Sequence, residues 1–221
     1  MTDRERPYEA ALVEPKTVQE RVLDVAANLA NFVPVLGGSI SSVLSGESSE
    51  RRWKRVEEFL LGLYDDLSKV KSKVRDANGS EEFEALLEET LRKVANEPRA
   101  EKRELYRRFL KRILEPSTYP DERRILRLID ELSSDHIRIL RAMAQPPSTT
   151  DLSISSVEQT LATRTGGDIK RDRVFEVVED LNSMRLAQNS NRMGVTMTGS
   201  GAQNLRGDLT PFGRIFLDYI G

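Results

Sequence analysis

Residues 48–74 read SSERRWKRVEEFLLGLYDDLSKVKSKV, and this stretch decides the fold class. Its apolar residues recur at alternating spacings of three and four positions: Trp53, Val56, Leu60, Leu63, Leu67, Val70 and Val74. That spacing places every one of these side chains on a single stripe of an α-helix. Ser48 and Ser49 are both good N-cap residues, and Asn78-Gly79-Ser80 supplies a break after the stripe. The stretch therefore predicts a long amphipathic helix that begins near Ser49.

Four other segments before residue 133 show the same helical periodicity. The first carries Val18, Val22, Val25, Leu29 and Phe32; the second Phe83, Leu86, Leu87, Thr90, Leu91 and Val94; the third Leu105, Tyr106, Phe109, Leu110, Ile113 and Leu114; the fourth Ile125, Leu128, Ile129 and Leu132. Glu81 and Glu82 suit the first turn of the second helix, Pro98 suits the first turn of the third, and the fourth runs from Asp121 to Leu132. Short connections favour an antiparallel bundle over residues 16–132, after a tail of residues 1–15. The heptad stripe leaves a homodimer seam as the alternative.

From Ser133 the composition changes, which predicts a second module over residues 133–221. Ser134 suits the start of a first helix, residues 152–154 form a candidate strand, and residues 155–158 read as a capping box before a helix that ends near Gly166-Gly167. Asp168 then suits the N-cap of a longer helix with Val174, Val177, Val178, Leu181 and Met184 on its inner side. Residues 195–198 favour a strand, a glycine-rich turn follows, and residues 209–214 open a final helix. We expect a mainly α protein with a winged-helix-like module and a short β wing.

Two sequence patterns in this module resemble those of MarR-type winged-helix regulators. Residues 177–187 read VVEDLNSMRLA and residues 209–214 read LTPFGR. In that family the recognition helix is followed by a wing and then by a helix that opens with Leu-Thr-x-x-Gly-Arg. The family usually has a glycine where this chain has Met184-Arg185, and the segment from Asn189 to Gly207 lacks the acidic-Arg tip of the family's wing. The resemblance implies a winged-helix shape for the module and fixes no function.

The whole layout is also similar to a group of bacterial proteins of unknown function. These proteins combine a helical N-terminal half with a winged-helix-like module that closes on Leu-Thr-x-x-Gly, and they often accompany stress or phage-defence genes. This similarity implies a role in bacterial stress or phage defence and no particular activity.

Composition excludes several classes of site. The 221 residues contain one histidine, His136, and no cysteine, which removes disulfide scaffolds, zinc clusters, cysteine nucleophiles and any site that needs two histidines. A HEPN-type ribonuclease would need an arginine at one of positions 129–131, which are Ile, Asp and Glu, and the phosphate-binding and hydrolase glycine motifs are missing. A lone histidine near a helix start is usually a surface or capping residue. The sequence thus predicts no enzyme, no metal and no cofactor, and the opening MTDRERPY predicts a cytoplasmic protein without a signal peptide.

The longer helix of the second module decides between two kinds of partner. A projection at about 100° per residue places Asp172, Glu176, Glu179 and Ser183 opposite the core stripe, with Asp180 at the margin and Phe175 pointing away from the core. Acidic side chains on this face would meet phosphates in a DNA groove, and the module holds ten basic and ten acidic residues. We therefore predict a protein-interaction face made of Asp172, Phe175, Glu176 and Glu179. The alternative is a DNA-binding regulator that contacts the backbone through basic residues: Arg164, Lys170, Arg171, Arg173, Arg192 and Arg206.

A second candidate region is the uncharged stretch of residues 25–46. Its length equals that of a membrane span, and four basic residues follow within residues 51–55. Pro34 and Gly37-Gly38 interrupt it, and several Asn and Ser residues make permanent insertion costly. We predict a buried helical hairpin, with conditional membrane insertion as the alternative. The same apolar residues serve both interpretations: Leu29, Phe32, Val35, Leu36, Ile40 and Leu44.

Overall fold

The computed structural model describes residues 16–30, 38–40, 49–69, 81–114, 121–146, 154–188 and 192–221. Within them the chain is mainly helical, which confirms the prediction of a mainly α protein. The first half contains α1 (Val18–Leu29), α2 (Glu50–Lys69), α3 (Glu81–Asn96), α4 (Ala100–Ile113) and α5 (Glu122–Glu131). The structure describes no strand in this half of the chain.

The apolar stripe quoted above is buried along α2. Its five members inside the described part of the helix, Trp53, Val56, Leu60, Leu63 and Leu67, are all buried, while Val70 and Val74 lie outside the described residues. The helix begins where the sequence predicts, because the carbonyl of Ser49 accepts bonds from the amides of Arg52 and Trp53. α2 packs against α1, α3 and α4. It is therefore the central element of the helical half.

The stripes predicted for α3, α4 and α5 are buried as well. One boundary was wrong: Pro98 precedes α4 rather than standing in its first turn, and Arg99 is the N-cap. The cause is local, since the carboxylate of Glu97 accepts the amide and guanidinium hydrogens of Arg99 and closes a turn there. α5 has the predicted bounds, with Asp121 as its N-cap and Leu132 as its C-cap.

The second half begins directly after α5, since only Leu132 and Ser133 lie between α5 and α6. Its elements are α6 (Ser134–Ala144), β1 (Ile154–Ser156), α7 (Val157–Arg164), α8 (Arg171–Ser183), β2 (Thr196–Thr198), α9 (Gly199–Gln203) and α10 (Pro211–Ile220). β1 and β2 pair antiparallel, with Ile154 opposite Thr198 and Ser156 opposite Thr196. α6, α7 and α8 pack against one another. The expected division at residue 132 into two domains stays a prediction.

Three helix starts in this half differ by one or two residues from those predicted. α6 is capped by Ser133 rather than Ser134. α7 is capped by Ser156 rather than Ser155, because the pairing with β2 extends the strand through Ser156. α8 begins after Lys170, and the carboxylate of Asp168, the predicted cap, binds Arg138 at 2.6 Å instead. For α7 and α8, a contact made elsewhere in the chain decides which residue caps the helix.

The expected β wing is not confirmed. β2 pairs with β1 rather than with a strand that follows α8, and Ala187 forms an isolated antiparallel bridge to Leu209. The predicted glycine-rich turn is the short helix α9, because the hydroxyl of Thr198 accepts the amide of Gly201 and caps it. Ala202 and Leu205 are buried, so this segment packs into the core.

The LTPFGR motif forms the junction between α8 and α10. The hydroxyl of Thr210 caps α10 by accepting the amide of Gly213 at 2.8 Å, and it donates to the carbonyl of Arg185 at 2.6 Å. A Cβ atom at Gly213 would lie 2.1 Å from the carbonyl oxygen of Leu186, so only glycine fits. Arg185 itself adopts a left-handed φ of 61°, a conformation that residues other than glycine rarely adopt.

The core contact of α1 gives a test of the packing. Leu29 is fully buried, whereas Leu23 on the same helix is 45% exposed. Replacing Leu29 by Ala removes buried methyl groups and leaves a cavity, so we expect the free energy of unfolding to fall by about 2–5 kcal/mol. The matched variant Leu23→Ala should change it by less than about 0.5 kcal/mol. Urea unfolding of the three proteins measures both values, and equal stabilities of the two variants would contradict this packing.

Candidate protein-interaction face of helix α8

The two sides of α8 differ as the projection predicts. Val174, Val177, Val178 and Leu181 are fully buried against the neighbouring helices. Asp172, Glu176, Glu179 and Ser183 are exposed on the opposite side. The alternation follows from the helical repeat, because an inner stripe at three and four positions leaves a continuous outer ridge.

Phe175 adds an aromatic ring to this ridge. Its residue surface is 44% exposed, and it lies three positions after Asp172 and four before Glu179. Residues at these spacings are neighbours on a helix surface. We call the set Asp172, Phe175, Glu176 and Glu179 the α8 face.

Charges around the α8 face are partly paired. Glu176 accepts from Arg173 at 2.8 Å, and Arg173 also reaches Asp135 on α6 at 3.4 Å. These hydrogen bonds to Glu176 and Asp135 raise the pKa of Arg173. The guanidinium therefore stays charged, and the two carboxylates already balance its charge. The carboxylates of Asp172 and Glu179 have no hydrogen bond or ion pair within the described residues. The face is therefore acidic, with two carboxylates available to an external cation.

His136 holds the other end of α8 in place. It is 6% exposed, which corrects the expectation of a surface histidine and confirms the capping alternative. Its Nδ1 accepts the backbone amide of Ser133 at 3.2 Å, so the ring hydrogen is on Nε2 and points to the Asp180 carboxylate at 3.2 Å. This bridge joins the start of α6 to α8. No local sequence pattern signals this bridge, because the two residues are 44 positions apart.

The basic residues proposed as DNA contacts have mixed surroundings. The guanidinium of Arg164 donates to four backbone carbonyls, those of Ala142, Gln145, Pro146 and Gln203, and burial lowers its pKa. Arg192 binds the Asp208 carboxylate and the carbonyls of Asn204 and Gly201.

The guanidinium groups of Arg164 and Arg192 thus join separate segments of this chain. Arg171 donates to Gln159. The side chains of Lys170 and Arg206 are exposed and unpaired within the described part of the chain.

Glu158 fixes the segment that follows α8. It is 7% exposed, and its carboxylate accepts the backbone amide of Gly194 rather than closing the predicted capping box. Burial raises its pKa, but the amides of Gly194 and of Glu158 itself outweigh burial and leave the pKa below its usual value. The carboxylate therefore stays ionised at neutral pH and tethers the β2 segment to α7.

The residues of the uncharged stretch are only partly described. Leu29 and Ile40 are fully buried, and Phe32, Val35, Leu36 and Leu44 lie outside the described residues. No helix in the part of the chain that the structure describes has both the length and the apolar character needed to cross a bilayer. The same residues contain no group of three or more acidic or histidine side chains placed to hold a metal ion.

Comparison with known proteins adds no further constraint. No family model, curated protein or solved structure matches this chain. The winged-helix resemblance therefore stays a prediction.

The Glu158 carboxylate predicts a pH-dependent stability. Because its folded pKa is lowered, its contribution is present above the unfolded pKa of about 4.3 and is lost as the pH falls through the folded value. We expect Glu158→Gln to be less stable than the parent by about 1 kcal/mol at pH 7, because a hydrogen bond to a charged acceptor becomes one to a neutral acceptor. The gap should narrow as the pH falls below the unfolded pKa and through the folded value.

Urea unfolding across this pH range measures the difference. Glu179→Gln, at an exposed carboxylate without a hydrogen-bond partner in the described residues, serves as the control and should match the parent within about 0.5 kcal/mol. Equal stabilities at pH 7, or a gap that widens on acidification, would contradict the assignment.

Proposed function

We propose that this chain is a non-enzymatic adaptor whose α8 face binds a protein segment that carries lysine or arginine next to an apolar side chain. The observation that carries the proposal is the exposed Phe175 beside the unpaired carboxylates of Asp172 and Glu179. The similarity to helical bacterial proteins that accompany stress or defence genes supports a role in such a system.

Charge and shape both favour a basic protein segment as the partner. Aromatic side chains are enriched at the centres of protein interfaces, where they anchor into a pocket of the partner. Carboxylates at the rim attract cations and set the orientation of the segment. Each carboxylate of the α8 face lies within one helical turn of Phe175, so a short segment suffices to reach all of them.

A winged-helix DNA-binding regulator is the second candidate. It is favoured by the order of α6, β1, α7, α8 and β2, by the LTPFGR junction, and by exposed Lys170 and Arg171 at the start of α8. The partial positive charge at a helix N-terminus would add to these two residues and favour a phosphate there. The outward ridge argues against this candidate, because its carboxylates would face the phosphates of a bound duplex.

A peptide selection tests the adaptor proposal. The full chain is immobilised and used to select from a random displayed library of 12-residue peptides, and the enriched peptides are then measured by titration. We expect sequences that combine Lys or Arg with one large apolar residue. Phe175→Ala should weaken their binding by at least about tenfold, since central aromatic anchors contribute about 2 kcal/mol or more. Asp172→Asn combined with Glu179→Gln should also weaken it.

Matched variants keep the result specific to the α8 face. Leu61→Ala removes an equally exposed apolar residue from α2, and Glu81→Gln combined with Glu84→Gln neutralises two exposed acids on α3. Both controls should bind like the parent. Selected peptides that lack basic residues, or that bind Phe175→Ala and Leu61→Ala equally well, would overturn the proposal.

A further inference from the structure

A cavity of about 270 Å³ lies where the helical half meets α6. Its lining is cationic, whereas the α8 face is acidic. Four cationic residues, Arg99, Lys102, Arg138 and Arg141, line it together with a single acid, Glu101. The volume is slightly below the roughly 300–1,000 Å³ of typical small-molecule sites, so its ligand must be small.

Lys102 is the buried member of this group. It is 8% exposed, and its ammonium donates to the backbone carbonyl of Asp130 rather than to a carboxylate. Burial, followed by the nearby charge of Arg99, lowers its pKa. A buried cation that lacks a hydrogen-bonded anion is costly, and an anion bound beside it would remove that cost.

The two arginines on α6 are held in position from outside the cavity. Nη2 of Arg138 donates to the carbonyl of Thr165 and to Asp168, both at 2.6 Å. Nη2 of Arg141 donates to the carbonyl of Ile220 at 2.8 Å. Each guanidinium is thereby fixed through one nitrogen, while its other N–H groups make no hydrogen bond within the described residues. Donors fixed in advance lose little entropy when a ligand binds.

The rest of the lining supplies polar and apolar contacts. Ser133 and Ser134 stand at the start of α6, where the partial positive charge of the helix N-terminus favours a negative group. Leu105, Leu132 and Ile137 form an apolar wall. Such a wall suits a small hydrocarbon or aromatic substituent attached to the anionic group.

We propose that this cavity binds a small phosphate monoester with an apolar substituent. Arg99 and Arg138 are already paired with the carboxylates of Glu97 and Asp168, whereas Lys102 and Arg141 donate only to backbone carbonyls. Phosphate is preferred to carboxylate because its double negative charge better corrects this imbalance of two cations without a carboxylate partner, and its oxygens can accept from several directions. The larger cavity of about 570 Å³ at the other end of α4 lacks this imbalance, since Asp66, Glu104 and Asp218 line it beside its basic residues.

Calorimetric titration of the full chain with phenyl phosphate, inorganic phosphate and benzoate at one ionic strength tests the proposal. We expect saturable binding with one site, tightest for phenyl phosphate. Lys102→Met keeps the buried stem and removes the charge, and it should weaken phenyl phosphate binding by at least about tenfold. Arg141→Gln tests the same site independently of the buried position and should also weaken binding by about tenfold.

Lys111→Met makes the same substitution on the same helix but in the larger cavity, and it should leave the affinity within about twofold of the parent. No saturable binding by the parent, or equal losses in Lys102→Met and Lys111→Met, would overturn the site. Benzoate binding as tightly as phenyl phosphate would overturn the assignment of phosphate.

Discussion

The packing of α10 against the helical half is the interaction on which the rest of the structure depends. The rings of Phe109 on α4 and Tyr219 on α10 lie 6.0 Å apart, and the guanidiniums of Arg108 and Arg141 both donate to the carbonyl of Ile220. Arg108 belongs to α4 and Arg141 to α6, so one carbonyl joins the two halves of the chain. Arg112 adds an ion pair to Asp218 at 2.9 Å. These contacts fix α6 relative to α4 and thereby create the cationic cavity between them.

The exposure of the α8 face follows from the same framework. α8 buries its valine stripe against α6 and α7, and the bridge from His136 to Asp180 fixes its rotation. With the inner side committed to the core, the acids and Phe175 must face outward. Two of the basic residues that would contact DNA are engaged within the protein: Arg164 and Arg192 bind carbonyls and a carboxylate of their own chain.

Periodicity predicted what depends on neighbours along the chain, and little else. The buried stripes of α2, α3 and α4 and the two sides of α8 follow from spacings of three and four residues. The tether from Glu158 to Gly194 spans 36 positions, and the bridge from His136 to Asp180 spans 44, so no local pattern signals them. The β wing was predicted from the strand propensity of residues 195–198, whereas the pairing partner of β2 is β1, some 40 residues earlier. The cationic cavity was missed for the same reason, because α4 and α6 bring its residues together.

We infer that α8 presents its acids to a protein rather than to a nucleic acid. This inference is tested by titrating random and genomic duplex DNA with the full chain at about 50 and 200 mM salt, with binding monitored by fluorescence anisotropy. We expect no submicromolar binding at either salt concentration, and no effect of reversing the cations at the start of α8 in Lys170→Glu/Arg171→Glu/Arg173→Glu. Submicromolar binding that falls steeply with salt and disappears in this triple variant would contradict it and establish the DNA-binding alternative.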